Sequence, residues 1–206
     1  MKSLNFVHIT KTGGSTIANV SRRAGLKWSQ FNRRTLRQRR NKLQGVKGPI
    51  WHQPLYLFNP VLVDSFDWFC VIRDPVERCV SEFNCRWEGW QARNPKGKPT
   101  ADNLNAFIQR SIERRIGHAH FHPQYRYIFD PGGRKIVRHV LLFENFVDEF
   151  NGLAKEYRID ARITSTDWAN KRKSDELTTK DLTEETRELI LDRYSLDHLI
   201  YERLRT

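Results

Sequence analysis

Apolar residues are concentrated in three short runs along the chain. The runs comprise residues 4–9, 67–72 and 137–143. Nearly continuous apolar runs of this length are typical of strands buried on both faces of a parallel sheet. Helical spacing of apolar residues follows each run, over residues 17–24, 76–83 and 146–157. The alternation predicts an α/β fold of three layers, in which a central, mainly parallel sheet is flanked by helices on both faces.

Weaker patterns fill the rest of the chain. Helices are predicted over residues 33–42, 104–116 and 183–204, a strand-like piece over residues 49–52, and a turn over residues 130–133. Residues 91–103 are polar and rich in Lys, Pro and Gly, which is typical of a flexible surface loop. With no internal repeat and 206 residues, the sequence predicts one domain spanning residues 1–206.

The charge balance points to anionic partners. Lys and Arg number 36 against 24 Asp and Glu, which leaves a formal net charge of +12. Nucleic acid, an anionic membrane surface, a phosphorylated cofactor and an acidic polysaccharide all satisfy this condition. Three cysteines do not indicate a disulfide framework. Because no window approaches 18 apolar residues and no leader pattern is visible, the sequence predicts a soluble, cytoplasmic protein.

The segment of residues 8–16 has the composition of a phosphate-binding loop. A strand, a glycine-bearing turn and a helix N-terminus direct backbone N–H groups and the helix dipole at one anion. In nucleotide-triphosphate loops the lysine follows the last glycine, whereas Lys11 precedes the glycines here, so that motif is not matched. A glycine-rich turn without a ligand is the alternative. The predicted binding residues are Lys11, Thr12, Gly13, Gly14, Ser15 and Thr16.

A second anion site is predicted where the run of residues 67–72 ends. Arg73 follows the predicted strand, Asp74 stands as an N-cap and Pro75 as the first helical residue. The guanidinium fork of Arg73 suits a phosphate, and Ser81 faces the same way a little over one turn into the helix. The alternative is that Arg73 only forms an ion pair with Asp74 or Glu77.

Together the two motifs resemble those of sulfotransferases that use 3′-phosphoadenosine-5′-phosphosulfate (PAPS), in the branch that modifies carbohydrates. The segment of residues 8–15, His-Ile-Thr-Lys-Thr-Gly-Gly-Ser, resembles the family's donor loop, with Thr10 where the family has Pro and Ser15 where it often has Thr. Residues 72–81 are similar to its 3′-phosphate segment, and Arg73 and Ser81 map onto the phosphate ligands. The resemblance implies a P-loop NTPase-like fold, PAPS as donor, 3′,5′-adenosine bisphosphate (PAP) as product, and no metal.

Other landmarks extend the resemblance over residues 6–204. They are His122-Pro123-Gln124, residues 143–146, and Tyr194 with Asp197 and Tyr201. These landmarks are expected to shape the fold and the donor pocket rather than perform chemistry. The basic run of Lys171, Arg172 and Lys173 lies where the family often closes a loop over the donor, although a solvated charge run is an equal alternative.

Sulfuryl transfer needs a base for the acceptor proton and a cation at the departing phosphate oxygen. Lys11 suits the second role. His52 is the predicted base, since a His occupies a comparable place in the uronyl 2-O-sulfotransferases that the chain resembles, and imidazole titrates near neutrality. Pro54 stands where those relatives have a second His. Glu82, Glu88 and His8 are the alternatives for the base.

The alternation of His118, His120 and His122 would place three imidazoles on one face of a strand and invites a metal site. We do not favour it, because no carboxylate or thiolate is suitably spaced nearby and the chemistry needs no divalent ion.

The acceptor is expected to be a hydroxyl compound, in particular an anionic glycan. Arginine-rich tracts at residues 33–42, 110–115 and 134–138 would meet its carboxylates or sulfates, and Trp87 and Trp90 could stack on sugar rings. Two other functions are compatible with the sequence. A P-loop kinase of a nucleotide or small molecule would share the sheet, but the Walker lysine and a magnesium carboxylate are missing. A basic nucleic-acid-binding module would suit the net charge, but no nucleic-acid partner is expected because no binding motif is present.

Overall fold

The computed structural model describes residues 2–29, 46–114, 117–164, 166–167, 169 and 176–206. Its strands are β1 Ser3–Phe6, β2 Phe66–Ile72 and β3 His139–Leu142. Its α-helices are α1 Gly14–Arg23, α2 Pro60–Asp64, α3 Pro75–Phe83, α4 Trp90–Arg93, α5 Ala101–Arg114, α6 Tyr125–Ile128, α7 Phe146–Glu156, α8 Glu184–Arg193 and α9 Ser195–Arg205. The helix predicted over residues 33–42 and the basic run of Lys171, Arg172 and Lys173 lie outside the described residues.

The strands form one parallel sheet with β2 in the centre. Phe6 of β1 pairs with Phe69 of β2, and Ile72 of β2 pairs with Leu142 of β3. Side chains alternate between the two faces along each strand. Since the strands are parallel, their carboxyl ends lie at the same edge, where α1, α3 and α7 begin shortly after them. The predicted α/β class with a parallel central sheet is confirmed.

Both faces of the sheet are buried under helices. On one face, Phe6, Phe69 and Leu141 pack with Ile17 of α1 and Phe150 of α7. The opposite face packs against other elements, and its core includes Trp68, Cys70 and Leu142 of the strands with Tyr127 of α6 and Tyr201 of α9. The three-layer arrangement is therefore present.

A third apolar cluster extends the molecule beyond the sheet. It joins α3, α5 and α8 through Val80, Ile108 and Ile190. The cysteines Cys70, Cys79 and Cys85 are buried and free, as a chain without a disulfide framework predicts. Among the described residues, none of the helices combines the length and the apolar character that crossing a membrane requires.

Three predicted elements differ from the structure. The piece at residues 49–52 is a 3₁₀ helix, Ile50–His52, rather than a strand. Pro49 and Pro54 flank it and cannot donate to a strand ladder, which explains the difference. The tail is divided at Tyr194 into α8 and α9. The segment of residues 91–103, predicted as a surface loop, is helical at both ends, where it belongs to α4 and to the start of α5. The ring of Trp90, the first residue of α4, stacks on the ring of Phe83 with 5.7 Å between the centroids.

Candidate active site at the carboxyl ends of the strands

The glycine-bearing loop after β1 leads directly into the N-terminus of α1. Gly13 is the N-cap, with a left-handed φ of 83° that glycine adopts without strain. Lys11 also has a positive φ, 65°, and its side chain is partly exposed. The Thr12 hydroxyl is buried and donates to the carbonyl of Ile9 at 2.9 Å, which ties the loop to the end of the strand segment. The loop therefore places the partly exposed Lys11 side chain shortly before the N-terminus of α1, where a helix favours an anion.

Close packing requires both glycines of the loop. A Cβ at Gly14 would overlap the imidazole of His8, so any larger residue at this position would have to displace that ring or the first turn of α1. A Cβ at Gly13 would lie 3.3 Å from the ring of Phe143, the residue that follows β3. The loop is thus packed on one side against His8 and on the other against Phe143.

Arg73 lies at the carboxyl end of β2, next to the loop. Its guanidinium group stacks on Phe143 at 4.4 Å, so this ring contacts both Arg73 and the Gly13 side of the loop. Arg73 also forms the ion pair that the sequence left as an alternative, with Glu77 at 3.0 Å. Both groups of the Gln124 amide bind its backbone, accepting from the N–H at 3.0 Å and donating to the carbonyl at 2.8 Å.

The other predicted donor ligands occupy different positions. Ser81 is partly buried and lies one turn beyond Glu77 on the same face of α3. Ser15 is exposed at the start of α1, whereas Thr16 is buried and its hydroxyl accepts from the N–H of Ala169 at 3.2 Å. That contact brings the chain to the loop two residues before the basic run begins at Lys171.

Arg78 has a structural role that the sequence did not reveal. It is 2% exposed, and it donates to the carbonyl of Thr10 at 3.1 Å and to the carbonyl of His122 at 3.0 Å. Weaker bonds reach the Thr10 hydroxyl and the carbonyl of His120. Arg78 therefore fastens the glycine-bearing loop to the turns of residues 117–122. The only sequence feature that could have drawn attention to Arg78 was its position within the segment of residues 72–81.

Two of the later landmarks, Asp197 and Tyr194, take part in a buried hydrogen-bond network. The buried Asp197 carboxylate accepts from the N–H groups of Gln124 and Tyr125 at 2.7 and 2.8 Å, and so holds the first turn of α6. Burial raises the pKa of Asp197. The Tyr194 hydroxyl donates to the carbonyl of Phe121 at 2.9 Å. Through Gln124, this network fixes the backbone of Arg73.

His52 lies between two other imidazoles, those of His8 and His120, beside the glycine-bearing loop. Its Nδ1 is 3.1 Å from the carbonyl oxygen of His8, and its ring centroid is 4.4 Å from that of His8 and 6.0 Å from that of His120. A carbonyl only accepts, so Nδ1 carries the proton and Nε2 keeps its lone pair. Burial lowers the pKa of His52 to about 4, and the bond to the His8 carbonyl opposes this shift. The ring is therefore neutral at physiological pH.

The alternatives for the base are placed differently. Burial lowers the pKa of His8 well below its usual range, and its ring lies under Gly14. Glu82 is fully buried, and its Oε2 is 2.7 Å from Nδ1 of His120. Glu88 pairs with Arg93 at 3.7 Å.

The histidines of residues 118–122 are not on one face of a strand, because this segment is a series of turns. The expectation that no carboxylate or thiolate lies near them is wrong. Glu82, Cys85 and His120 each offer a ligand atom, and these atoms lie within 4.8 Å of one another. Sequence spacing missed this group because α3 and the turn segment meet only in the fold.

The two tryptophans that were predicted to stack on sugar rings, Trp87 and Trp90, differ in exposure. Trp87 is 73% exposed, with the Arg86 guanidinium 4.7 Å from its ring, whereas Trp90 packs into the α3–α5–α8 cluster. Trp51, which the sequence analysis did not single out, is 48% exposed, and its ring is 6.1 Å from that of His52.

The site can be compared with known proteins. Residues 2–202 match a family model described as the sulfotransferase family. No curated protein and no solved structure matches the chain significantly.

Proposed function

Because the chain belongs to the sulfotransferase family, and is therefore a transferase of sulfuryl groups, we propose that its donor is PAPS and its acceptor a carbohydrate hydroxyl. The observation that carries the donor assignment is the shared contact of Phe143 with Arg73 and with the Gly13 side of the loop. Two cationic, anion-binding positions on neighbouring strand ends suit a nucleotide with phosphate at both its 5′ and 3′ positions.

The residues fit such a donor. The N-terminal amides of α1, with Lys11, Thr12, Gly13, Gly14, Ser15 and Thr16, bind the 5′-phosphosulfate. Arg73 and Ser81 bind the 3′-phosphate, and Arg73 gives up part of its ion pair with Glu77 to do so. Lys171, Arg172 and Lys173, which lie outside the described residues, are further donor-binding residues in this proposal, and no metal takes part.

The donor supplies an activated sulfuryl group, and the protein supplies the proton acceptor and the cation. As the acceptor oxygen bonds to sulfur, the bond from sulfur to the phosphate oxygen breaks, and that oxygen keeps the electron pair beside Lys11. The acceptor proton passes to Nε2 of His52, which is unprotonated because Nδ1 binds the His8 carbonyl.

Charge and exposed aromatic rings support a glycan acceptor. The chain carries a net charge of +12, which attracts carboxylated or sulfated sugars. Trp51 offers an exposed ring next to His52, and Trp87 offers another. Stacking on such rings is a general way for proteins to hold the apolar face of a sugar.

Parallel measurements of PAP binding by calorimetry and of sulfuryl transfer to a panel of glycans test the proposal. Lys11→Ala should weaken PAP binding by about 10- to 100-fold, since it removes one charge-assisted hydrogen bond to phosphate. His52→Asn should abolish turnover and leave PAP affinity within about twofold, because it removes only the proton acceptor.

Magnesium is omitted throughout the binding measurements. PAP affinity that is independent of Lys11, stabilisation by magnesium-ATP alone, or full turnover in His52→Asn would each contradict the proposal. Wild-type protein with ATP but no magnesium controls for unspecific binding of anions to the basic surface.

A further inference from the structure

The C-terminal end of α3 places a carboxylate and a thiol side by side. Glu82 and Cys85 are three residues apart, and the N–H of Cys85 donates to the carbonyl of Glu82 at 3.0 Å. The two residues are 0% and 5% exposed. Gly89 packs on this turn, because a Cβ there would overlap the backbone carbonyl oxygens of both Glu82 and Cys85. The chain therefore folds back onto the helix end and holds the two side chains in place.

The third member of the cluster comes from the turns of residues 117–122. The imidazole of His120 is hydrogen bonded to Glu82, with 2.7 Å between Nδ1 and Oε2. Ligand atoms of Glu82, Cys85 and His120 all lie within 4.8 Å of one another. Arg78, one turn before Glu82 on α3, donates to the backbone carbonyl of His120 at 3.4 Å. The same helix thus positions all three side chains before any ligand binds.

The hydrogen bonds of the cluster leave one buried polar atom without a partner. Oε1 of Glu82 is buried, and no described residue forms a hydrogen bond to it. A buried carboxylate oxygen without a donor or a cation is costly. A water molecule would satisfy this oxygen alone, but it gives no reason for a thiol and an imidazole at the same point. A metal ion would satisfy all three side chains.

We propose that Glu82, Cys85 and His120 bind a structural Zn²⁺ ion. Thiolate, imidazole and carboxylate are the ligands of zinc, whereas Mg²⁺ and Ca²⁺ prefer oxygen ligands alone. Cys85 binds as the thiolate and releases its proton to solvent, and the ion replaces the hydrogen bond between Glu82 and His120. A water molecule takes the fourth position. Metal–ligand bonds of about 2.0–2.3 Å require the three side chains to adjust by roughly 1 Å.

The ion fastens the end of α3 to the turns of residues 117–122, as Arg78 does one turn earlier. It takes no part in sulfuryl transfer, and the inference depends neither on the donor nor on the acceptor. The site also differs from the three-histidine site considered from the sequence, since His118 and His122 are not among its ligands.

Metal binding is measured on the full chain, with zinc and cobalt as the probes. After treatment with chelator and dialysis, the protein should bind one equivalent of Zn²⁺ in a competition titration against a chromophoric chelator. Co²⁺ should give the thiolate-to-metal charge-transfer band of a cysteine ligand. The midpoint of thermal unfolding should rise with the Zn²⁺ concentration, because the ion binds the folded chain.

The other two cysteines of the chain provide matched controls. Cys85→Ala should weaken Zn²⁺ binding by more than about 100-fold and abolish the cobalt band, since even the hydrogen-bond partners of metal ligands contribute about 10- to 100-fold to metal affinity. Cys70→Ala and Cys79→Ala remove buried thiols outside the cluster and should keep both the affinity and the band. His120→Asn should weaken binding as Cys85→Ala does, and His139→Asn, in β3, should not.

Three results would overturn the inference. One is the absence of stoichiometric Zn²⁺ binding to the wild-type protein. Another is a cobalt complex without the thiolate band. The third is equal Zn²⁺ affinity in wild-type protein and Cys85→Ala, which would mean adventitious binding elsewhere on the chain. Circular dichroism checks that each variant is folded, and if Cys85→Ala is not, the same comparison is made with His120→Asn. Failure of PAP binding would reject the proposed donor and leave the metal site standing.

Discussion

At the scale of single residues, the glycine-bearing loop depends on the absence of a side chain at Gly14. A methyl group there would overlap the His8 imidazole, so Gly14→Ala must displace either the first turn of α1 or the ring of His8. Overpacking of this kind costs about 1–3 kcal/mol of the free energy of unfolding. PAP affinity should also fall, since the amides of the first turn are displaced. Chemical denaturation and calorimetry measure the two effects.

Gly152 provides the matched control. It lies inside α7, and a Cβ there would meet nothing within 4 Å. Gly152→Ala should therefore stabilise the protein by about 0.5–1 kcal/mol, the usual gain of Ala over Gly in a helix. Unchanged stability and PAP affinity in Gly14→Ala would contradict the packing described for the loop.

The residue types at the loop were predictable, but their neighbours were not. The order of Lys11 and the glycines predicts an anion-binding turn, because backbone geometry and charge are local properties. The packing of Gly13 on Phe143 and of Gly14 on His8 depends on how strands and turns meet, which no local pattern contains. For the same reason the sequence assigned no role to Arg78, although the segment of residues 72–81 that contains it was singled out.

At the scale of elements, the amide of Gln124 joins the turn before α6 to the end of β2. Gln124 is 1% exposed and bonds both backbone groups of Arg73. Gln124→Leu keeps the size but removes two partly buried hydrogen bonds to the backbone of Arg73, at a cost of about 2–4 kcal/mol in the free energy of unfolding. PAP affinity should decrease as well, because Arg73 loses its fixed position. Urea denaturation and calorimetry test both.

Gln53 provides a matched control for Gln124, because its amide also bonds both backbone groups of one residue, Val46. Its amide accepts from the N–H of Val46 at 3.2 Å and donates to the carbonyl of Val46 at 2.6 Å. Gln53→Leu should lose comparable stability and retain PAP affinity, since Arg73 is untouched. Equal loss of PAP affinity in both variants would mean that Gln124 acts only through general stability.

Elements with strong local signals were predicted well. The α3 helix begins as its sequence indicates, with the Asp74 carboxylate accepting from the N–H of Glu77 at 2.8 Å and Pro75 in the first turn. The piece at residues 49–52 is predicted as a strand but forms the short 3₁₀ helix Ile50–His52. Short alternating or apolar pieces carry too few residues for periodicity to decide, and tertiary contacts determine their form.

At the scale of the whole molecule, the fold concentrates ionisable groups at one edge of the sheet. The parallel strands bring the loop and Arg73 to one edge of the sheet, and His52 contacts His8 at the end of the strand segment that leads into the loop. The same packing that positions the imidazoles also removes them from water. Stability and chemistry are therefore linked through the protonation of this cluster.

That link predicts how stability depends on pH. The pKa of His52 is about 4 in the folded chain against 6.5 as its usual value, and that of His8 is lowered too. The unfolded chain therefore binds more protons between these values, and the free energy of unfolding falls as pH decreases through this window. For His52 alone the loss is roughly 2 kcal/mol between about pH 7.5 and about pH 5. Urea denaturation at both pH values should show a smaller loss in His52→Gln than in wild-type protein, and parallel pH dependences in the two proteins would contradict the burial of this imidazole.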